Sequence, residues 1–510
     1  MEQDPLPGIE LTAERLGGRT LSANDEFFAP KENLLRASAP VWKEDEYTER
    51  GKWMDGWETR RRRDPGHDWC VIQLGLAGII RAVVVDTAYF RGNFPESFSL
   101  EGASLDDTGG IESARWFSVV ATTRLSGNTV HRFPVECPWR VTHLRLNIFP
   151  DGGVARFKAY GAGLPDRCLT ENFDGRIDLA GMMNGGEVVA ASDMFFSDRN
   201  NMIRSGPSTH MADGWETRRR RGPGHDWAIL QLGTEGIIES ALIDTTHFKG
   251  NAPGRAKLEV LHAPGMDLDR LVGGAEARSA APVEWQILLP ETPLLPDHPH
   301  EFSSELRSAG AVTHARLSIY PDGGVARLRL FGKPTENGRE AVSIRWINTL
   351  PPSELEEQLG RCCAAPGWVR ALALARPFAD RAALDRASDA ALAVLSHDDL
   401  LEALKRHPRL GESAAATAPV ATEERDWSRR EQSGIATAAD PVKARLAALN
   451  KDYEQKFGWI FLLCATGLSG EDVVTHLERR LSADPQEEIA TVGLEMAAIA
   501  RRRLERLLIR

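Results

Sequence analysis

Cysteine is scarce in this chain and poorly spaced for metal. Six occur in 510 residues, at positions 70, 137, 168, 362, 363 and 464. None has the C-x2-C spacing of a zinc or redox site, so no metal-ligand motif is expected from them. Long apolar runs are missing as well. None approaches the roughly 18 residues of a membrane span, and no membrane association is expected. The opening MEQDPLPGIE lacks the basic and apolar character of a secretion signal, so a reducing cytoplasm is the expected compartment. An excess of positive charge is also absent. The net charge of −11 argues against general binding of nucleic acid or anionic membrane.

What is present is a duplication. DGWETRRRRDPGHDW (Asp55–Trp69) returns as DGWETRRRRGPGHDW (Asp213–Trp227) with one change in fifteen positions. Structural repeats keep an apolar pattern and let charges drift, because burial fixes hydrophobicity rather than identity. Retained Asp, Glu, four Arg, His and Asp therefore point to chemistry or to a strict hydrogen-bond network, built twice. LSANDEFFAPKENLL (Leu21–Leu35) is echoed from Ala190 to Ile203, and VVDTAYFRGN (Val84–Asn93) from Leu242 to Asn251. VTHLRLNIFPDGGVARFKAYG (Val141–Gly161) returns from Val312 to Gly332, after a 13-residue insertion in the second copy. Two copies are too few for a solenoid.

Both copies read as β. WCVIQLGLAGIIRAVVVDT is apolar, β-branched and broken by glycine, as sandwich strands are. Leu144, Leu146 and Ile148 alternate with polar residues before Pro150-Asp151-Gly152-Gly153, which predicts a hairpin onto the following strand. Beyond Gly332 the composition shifts to Ala, Leu, Glu and Arg with apolar residues at three and four, the period of amphipathic helices. The expected architecture is multidomain: two tandem all-β jelly-roll domains at 1–165 and 166–335, whose motif order resembles the galactose-binding type, a polar linker at 336–350, and an all-α helical domain at 351–510.

If the Arg run lies on a strand, Thr59, Arg61 and Arg63 share one face and Glu58, Arg60 and Arg62 the other. The bland reading pairs Glu58 with an Arg and solvates the rest. The sharper one is an anion site, because guanidinium groups grip carboxylates bidentately. His67 beside Asp68 then suits a general acid or base, or half of a metal site. Asp86, Asn93, Asp244 and Asn251 suit turn hydrogen bonds as well as ligand contact.

These residues resemble allantoicase. DGWETRRRR…GHDW, DT..F.GN and PDGGVAR, each present twice, cover about the first 330 residues. The resemblance implies hydrolysis of allantoate to ureidoglycolate and urea. Allantoate carries a carboxylate and two ureido groups on one carbon, so the reaction needs an anion clamp, an acid for the departing nitrogen and a base for water. Arg61 and Arg63, with Arg219 and Arg221, are the expected clamp. Glu58, His67 and Asp68, or Glu216, His225 and Asp226, are the acid/base candidates. Which copy is active stays open, as does a divalent metal such as manganese.

The tail carries a second signature: ALKRHPRLG (Ala403–Gly411), WSRREQSG (Trp427–Gly434), LNKDYEQKFGWIFLLCATG (Leu449–Gly467) and IARRRLERLL (Ile499–Leu508). It resembles OHCU decarboxylase, which acts on 2-oxo-4-hydroxy-4-carboxy-5-ureidoimidazoline (OHCU). The resemblance implies that His407 and Glu431 are catalytic, and that Ser428, Arg503 and backbone near Phe461 and Leu462 bind substrate. No cofactor is expected there, because the electrons left by departing CO2 delocalise into the substrate ring. The combined expectation is a bifunctional enzyme with small ureide substrates, in a homo-oligomer. Its rivals are non-catalytic ligand-binding jelly rolls with only the helical domain active, or a hydrolase with a helical assembly module.

Overall fold

The computed structural model describes residues 6–105, 110–165, 175–273, 283–411, 427 and 430–508. Its contacts divide the chain into two units, residues 1–342 and 343–510.

The first unit contains the two β copies. In the first, strands run β1 (Ile9–Glu10), β2 (Arg19–Ala23), β3 (Tyr47–Thr48), β4 (Gly51–Lys52), β5 (Trp57–Glu58), β6 (Asp68–Asp86), β7 (Ser97–Ala103), β8 (Phe117–Arg124), β9 (Val130–Pro134), β10 (Val141–Phe149), β11 (Gly153–Val154) and β12 (Arg156–Gly163). Eight of these form an antiparallel sheet system in the order β1-β12-β6-β10-β7-β8, with β2 and β9 also on β6. The second copy repeats that order with β13 (Ile177–Asp178), β14 (Glu187–Ala191), β15 (Trp215–Glu216), β16 (Asp226–Asp244), β17 (Arg255–Leu261), β18 (Gln286–Pro293), β19 (Pro299–Phe302), β20 (Val312–Tyr320), β21 (Gly324–Val325) and β22 (Arg327–Pro334). The β3–β4 hairpin has no counterpart among the described strands of the second copy. Trp57, Ile72, Phe98, Leu144 and Phe157 join Trp215, Leu230, Leu258 and Leu328 in one hydrophobic cluster. Each such side chain stabilises by about 1.5–3 kcal/mol.

Two sequence expectations fail here. β10 and β12 do not form a hairpin, because the 19-residue β6 lies between them. Residues 68–73 of β6 pair with β10 and residues 78–86 with β12. Alternation identifies a strand but not its partner, and one long strand serving both neighbours has no local signature. The Arg run is not a strand either. Pairing stops at Glu58, and Thr59–Arg63 form an extended loop.

The PDGG turn instead makes the site. A Cβ on Gly153 would lie 2.0 Å from the Phe90 ring, so only glycine lets β11 close over it. The Gly153 amide then donates to the Asn93 carbonyl at 2.7 Å, and Asp151 Oδ2 accepts from the Arg62 amide at 2.8 Å. The three duplicated motifs hold one another in place.

Residues 336–350, expected as a linker, form helix α2 (Glu336–Thr349), following the short α1 (Leu268–Val272). The helical unit continues with α3 (Pro352–Cys362), α4 (Pro366–Ala375), α5 (Arg381–Ala393), α6 (His397–Leu404), α7 (Ser433–Ala436), α8 (Asp440–Phe457), α9 (Gly470–Arg480) and α10 (Pro485–Leu508). Leu355, Leu359, Trp368, Leu372, Val492, Met496 and Leu504 build its main core, as three-and-four spacing predicts. Between α8 and α9 the chain runs extended through Phe461–Ala465, where glycines at 458 and 467 adopt φ of 85° and 83°.

Candidate active sites

Most of the duplicated polar motif is held by hydrogen bonds and ion pairs within its own copy. Arg60 pairs with Asp25 at 2.6 Å, and Trp57 donates to the Asp25 carbonyl at 2.8 Å. Arg62 reaches the buried Asp68 at 2.7 Å, and Asn24 donates to the same oxygen at 2.8 Å. His67 lies against Phe149 at 4.7 Å. The second copy repeats this: Arg218 on Asp193 at 3.0 Å, Arg220 and Ser192 on Asp226, and His225 against Tyr320 at 4.6 Å. Burial and three nearby cations lower the basicity of His225. Charged pairs that close a loop are as intolerant of change as a catalytic group, which is why sequence could not separate the two.

Arg61, Arg63, Arg219 and Arg221, the expected clamp, project from exposed loops, and Arg61 and Arg63 do not line the cavity beside Glu58. His67 and Asp68 do not line it either. Among the described residues no three His, Cys, Asp or Glu side chains group to hold a metal. Arg62 and Asn24 both bond Asp68 Oδ1, and the buried Oδ2 has no partner among the described residues.

Glu58 does face a cavity, of about 570 Å³, with Phe28, Trp42, Glu44, Lys52, Met54, Tyr89, Arg91, Gly92 and Asn93. The residue is 9% exposed, and its carboxyl accepts one hydrogen bond, from Asn93 Nδ2 at 2.7 Å. Burial raises its proton affinity, opposed by the Asn93 bond. Tyr89 sits at φ 68°, held by Asn128 Oδ1 on its amide at 2.8 Å. A bulky side chain in the left-handed region marks a position fixed by its surroundings. Its ring lies 5.8 Å from Trp42. Lys52 donates to the Lys43 carbonyl at 2.6 Å and to that of Glu44, and sits 4.8 Å from the Trp42 ring centre.

Trp42, Glu44, Lys52 and Met54 belong to residues 37–54, eighteen residues where the second copy has only eight, 205–212. There the short segment lies on the equivalent side chains. Glu216 still accepts from Asn251 at 2.6 Å, but Met211 Sδ sits 3.7 Å from Asn251 Nδ2, and His247 bonds the Ser208 carbonyl at 3.0 Å. Sequence reading missed Trp42, Lys52, Tyr89 and Arg91. The unequal spacing before DGWE, and the Arg/Lys match between FRGN and FKGN, were the signals available.

The second site lies wholly within the helical unit. His407, Glu431, Phe461, Leu462 and Arg503 line one cavity, with Pro408, Cys464, Thr466, Ile499 and Arg502. Ser428 lies outside the described residues. His407 follows the end of α6, its amide donating to the Leu404 carbonyl at 3.1 Å, and Pro408 stops further helix. Loss of hydration and the Arg503 charge push its pKa down to about 3, so the imidazole is neutral at pH 7. Arg503 Nη2 donates to Glu431 Oε2 at 2.9 Å, and Arg506 Nη1 to Oε1 at 2.9 Å. The extended wall is fixed from behind. Buried Arg480 donates to the Leu462 carbonyl at 2.7 Å and to Glu488 at 2.8 Å, while Tyr453 also donates to Glu488. Glu495 accepts from the Cys464 amide at 2.8 Å, and the buried Thr466 hydroxyl has no partner among the described residues.

Residues 9–164 and 177–335 each match the allantoicase repeat family model, and residues 348–505 match the OHCU decarboxylase model. A probable allantoicase of Pseudomonas aeruginosa is 45% identical over 330 residues, 64% of this chain and 96% of that protein. One from Photobacterium profundum is 42% identical over 329 residues, 64% of this chain and 97% of the relative. The crystal structure of allantoicase from Saccharomyces cerevisiae superposes with a TM-score of 0.52 at 33% identity, covering 64% of this chain and 92% of that one.

Proposed function

The chain belongs to the allantoicase family and carries an OHCU decarboxylase domain behind its two repeats, and we propose that its two activities have separate centres, hydrolysis in the β unit and decarboxylation around His407. It is a bifunctional enzyme of ureide breakdown. It hydrolyses allantoate to ureidoglycolate and urea, and decarboxylates OHCU to allantoin.

The observation that carries the second centre is the convergence of His407, Glu431 and Arg503 on one cavity from three separate stretches of chain. The C–C bond to the carboxylate breaks as CO2 leaves, and its electron pair passes into the conjugated ring. Arg503 and Glu431 orient the substrate, one as a cation for an anionic group, the other as an acceptor for ring and ureido N–H. Neutral His407 accepts the proton of the substrate hydroxyl and returns it to one face of the ring carbon, while the ring nitrogen that takes up the electron pair is protonated from solvent. One-sided delivery gives allantoin of a single hand, the (S) form in this reading. No bound cofactor is needed for that electron flow, so chelator-treated protein keeps its decarboxylase rate; loss on chelation with recovery on adding metal would contradict it.

The cytoplasm and a homo-oligomer complete the proposal. Four buried free cysteines suit a reducing compartment, and Phe195 and Phe196, each 59% exposed, are apolar surface that self-association would cover. Purified protein given allantoate should release urea, and given fresh OHCU should yield optically active allantoin above the spontaneous rate. Inert binding of either substrate would contradict the corresponding half.

A further inference from the structure

We propose that allantoate is hydrolysed only in the first copy, in the cavity behind residues 37–54, where Arg91 grips the substrate carboxylate and Glu58 carries the proton. The inference rests on the hydrolase reading and sharpens it.

Three observations converge. The cavity of about 570 Å³ is of the size that encloses a small organic ligand. Arg91 is exposed to it and makes no hydrogen bond or ion pair with the described residues, so its fork is free for a carboxylate. Lys52, the other cation on the wall, is already committed to two carbonyls of its own loop, so it shapes the wall rather than clamping the anion. Glu58 presents a desolvated carboxyl with one hydrogen bond, from Asn93, and desolvation favours its protonated form. The flat rings of Trp42 and Tyr89 suit the planar ureido groups.

The chemistry balances with these groups and water. Protonated Glu58 gives its proton to one ureido nitrogen as the C–N bond breaks, and the bonding pair leaves with urea. Water adds its oxygen to the central carbon, giving the hydroxyl of ureidoglycolate, and its released proton returns to Glu58. Arg91 holds the neighbouring carboxylate throughout.

The second copy keeps the Glu216–Asn251 pair but not the long segment that walls the first cavity. Its shorter segment places Met211 on Asn251 and Ser208 on His247, and the residues corresponding to Trp42, Glu44 and Lys52 do not exist there. Glu216 is more exposed than Glu58, and residues 205–212 beside it are mostly exposed, so the retained pair lacks the wall that encloses Glu58 in the first copy.

The test uses the full chain, with urea release from allantoate as readout and thermal unfolding as the check on folding. Arg91→Ala should raise KM at least roughly tenfold through loss of the bidentate contact, and Arg91→Lys should recover part of that loss. Glu58→Gln should lower kcat by about a hundredfold or more with KM little changed, since general acid–base catalysis contributes roughly 10²–10⁴. Lys249→Ala, the matching change in the second copy, should leave both within about twofold. Normal urea release by folded Arg91→Ala and Glu58→Gln, or its loss in Lys249→Ala, overturns the inference while the hydrolase reading stands. Wild-type protein that releases no urea overturns that reading, and the inference with it.

Discussion

His407 is the residue whose environment makes the sharpest demand. Its pKa is about 3 in the folded unit and near 6.5 in an unfolded chain. Between those values the unfolded state binds one more proton, so folding loses stability as pH falls from about 6.5 toward 3. The stability contribution is intact above the unfolded value. Thermal unfolding of the wild type should therefore be more acid-sensitive than that of His407→Asn across this window. Equal sensitivity would mean that the ring is not held neutral. The same shift removes the acid limb near pH 6.5 that an ordinary histidine would give the decarboxylase profile. The polar motif of the β unit behaves differently. Asp68→Ala strands Arg62 and Asn24, and should cost about 2–3 kcal/mol while urea release per folded molecule stays within severalfold. A thousandfold loss of turnover with unchanged stability would return Asp68 to the chemistry. Sequence placed Glu58, His67 and Asp68 together because all three are polar and duplicated. Only the structure separates them, since burial and partner choice are long-range properties.

At the level of elements, the β-then-α order was legible, because periods of two and of three to four are local. The pairing of β10 and β12 was not, since their shared neighbour β6 is about 60–90 residues away in sequence. Residues 336–349 read as a linker because they are polar, yet they form a helix with neither a proline start nor a long apolar stripe. The helical site was legible as a set of residues, and its supporting wall was not. Arg480 lies within GEDVVTHLERRL, an ordinary amphipathic pattern, and nothing local marks it as the group that fixes the Leu462 carbonyl. Arg480→Met should leave that carbonyl without its donor and buried Glu488 without its cation, held by Tyr453 alone. Decarboxylase kcat/KM should fall about tenfold or more, together with lower stability of the helical unit. An unchanged rate in folded protein would show that the extended wall needs no such support.

For the whole molecule, the two reactions are not consecutive: allantoin must be opened hydrolytically to allantoate before the β unit can act. A separate amide-cleaving hydrolase is required for that step. Each unit has its own hydrophobic core, and about 170 residues bury enough surface to fold alone. Because α2 spans Glu336–Thr349, a fragment beginning at 336 keeps that helix whole, and 336–510 should form allantoin at the rate of the full chain. The central claim, two independent centres on one chain, is tested most directly by assaying both activities on one preparation of full-length His407→Asn. Allantoin formation should fall about a hundredfold or more, with urea release from allantoate within about twofold of wild type. Loss of both activities in folded protein, or loss of neither, would contradict it.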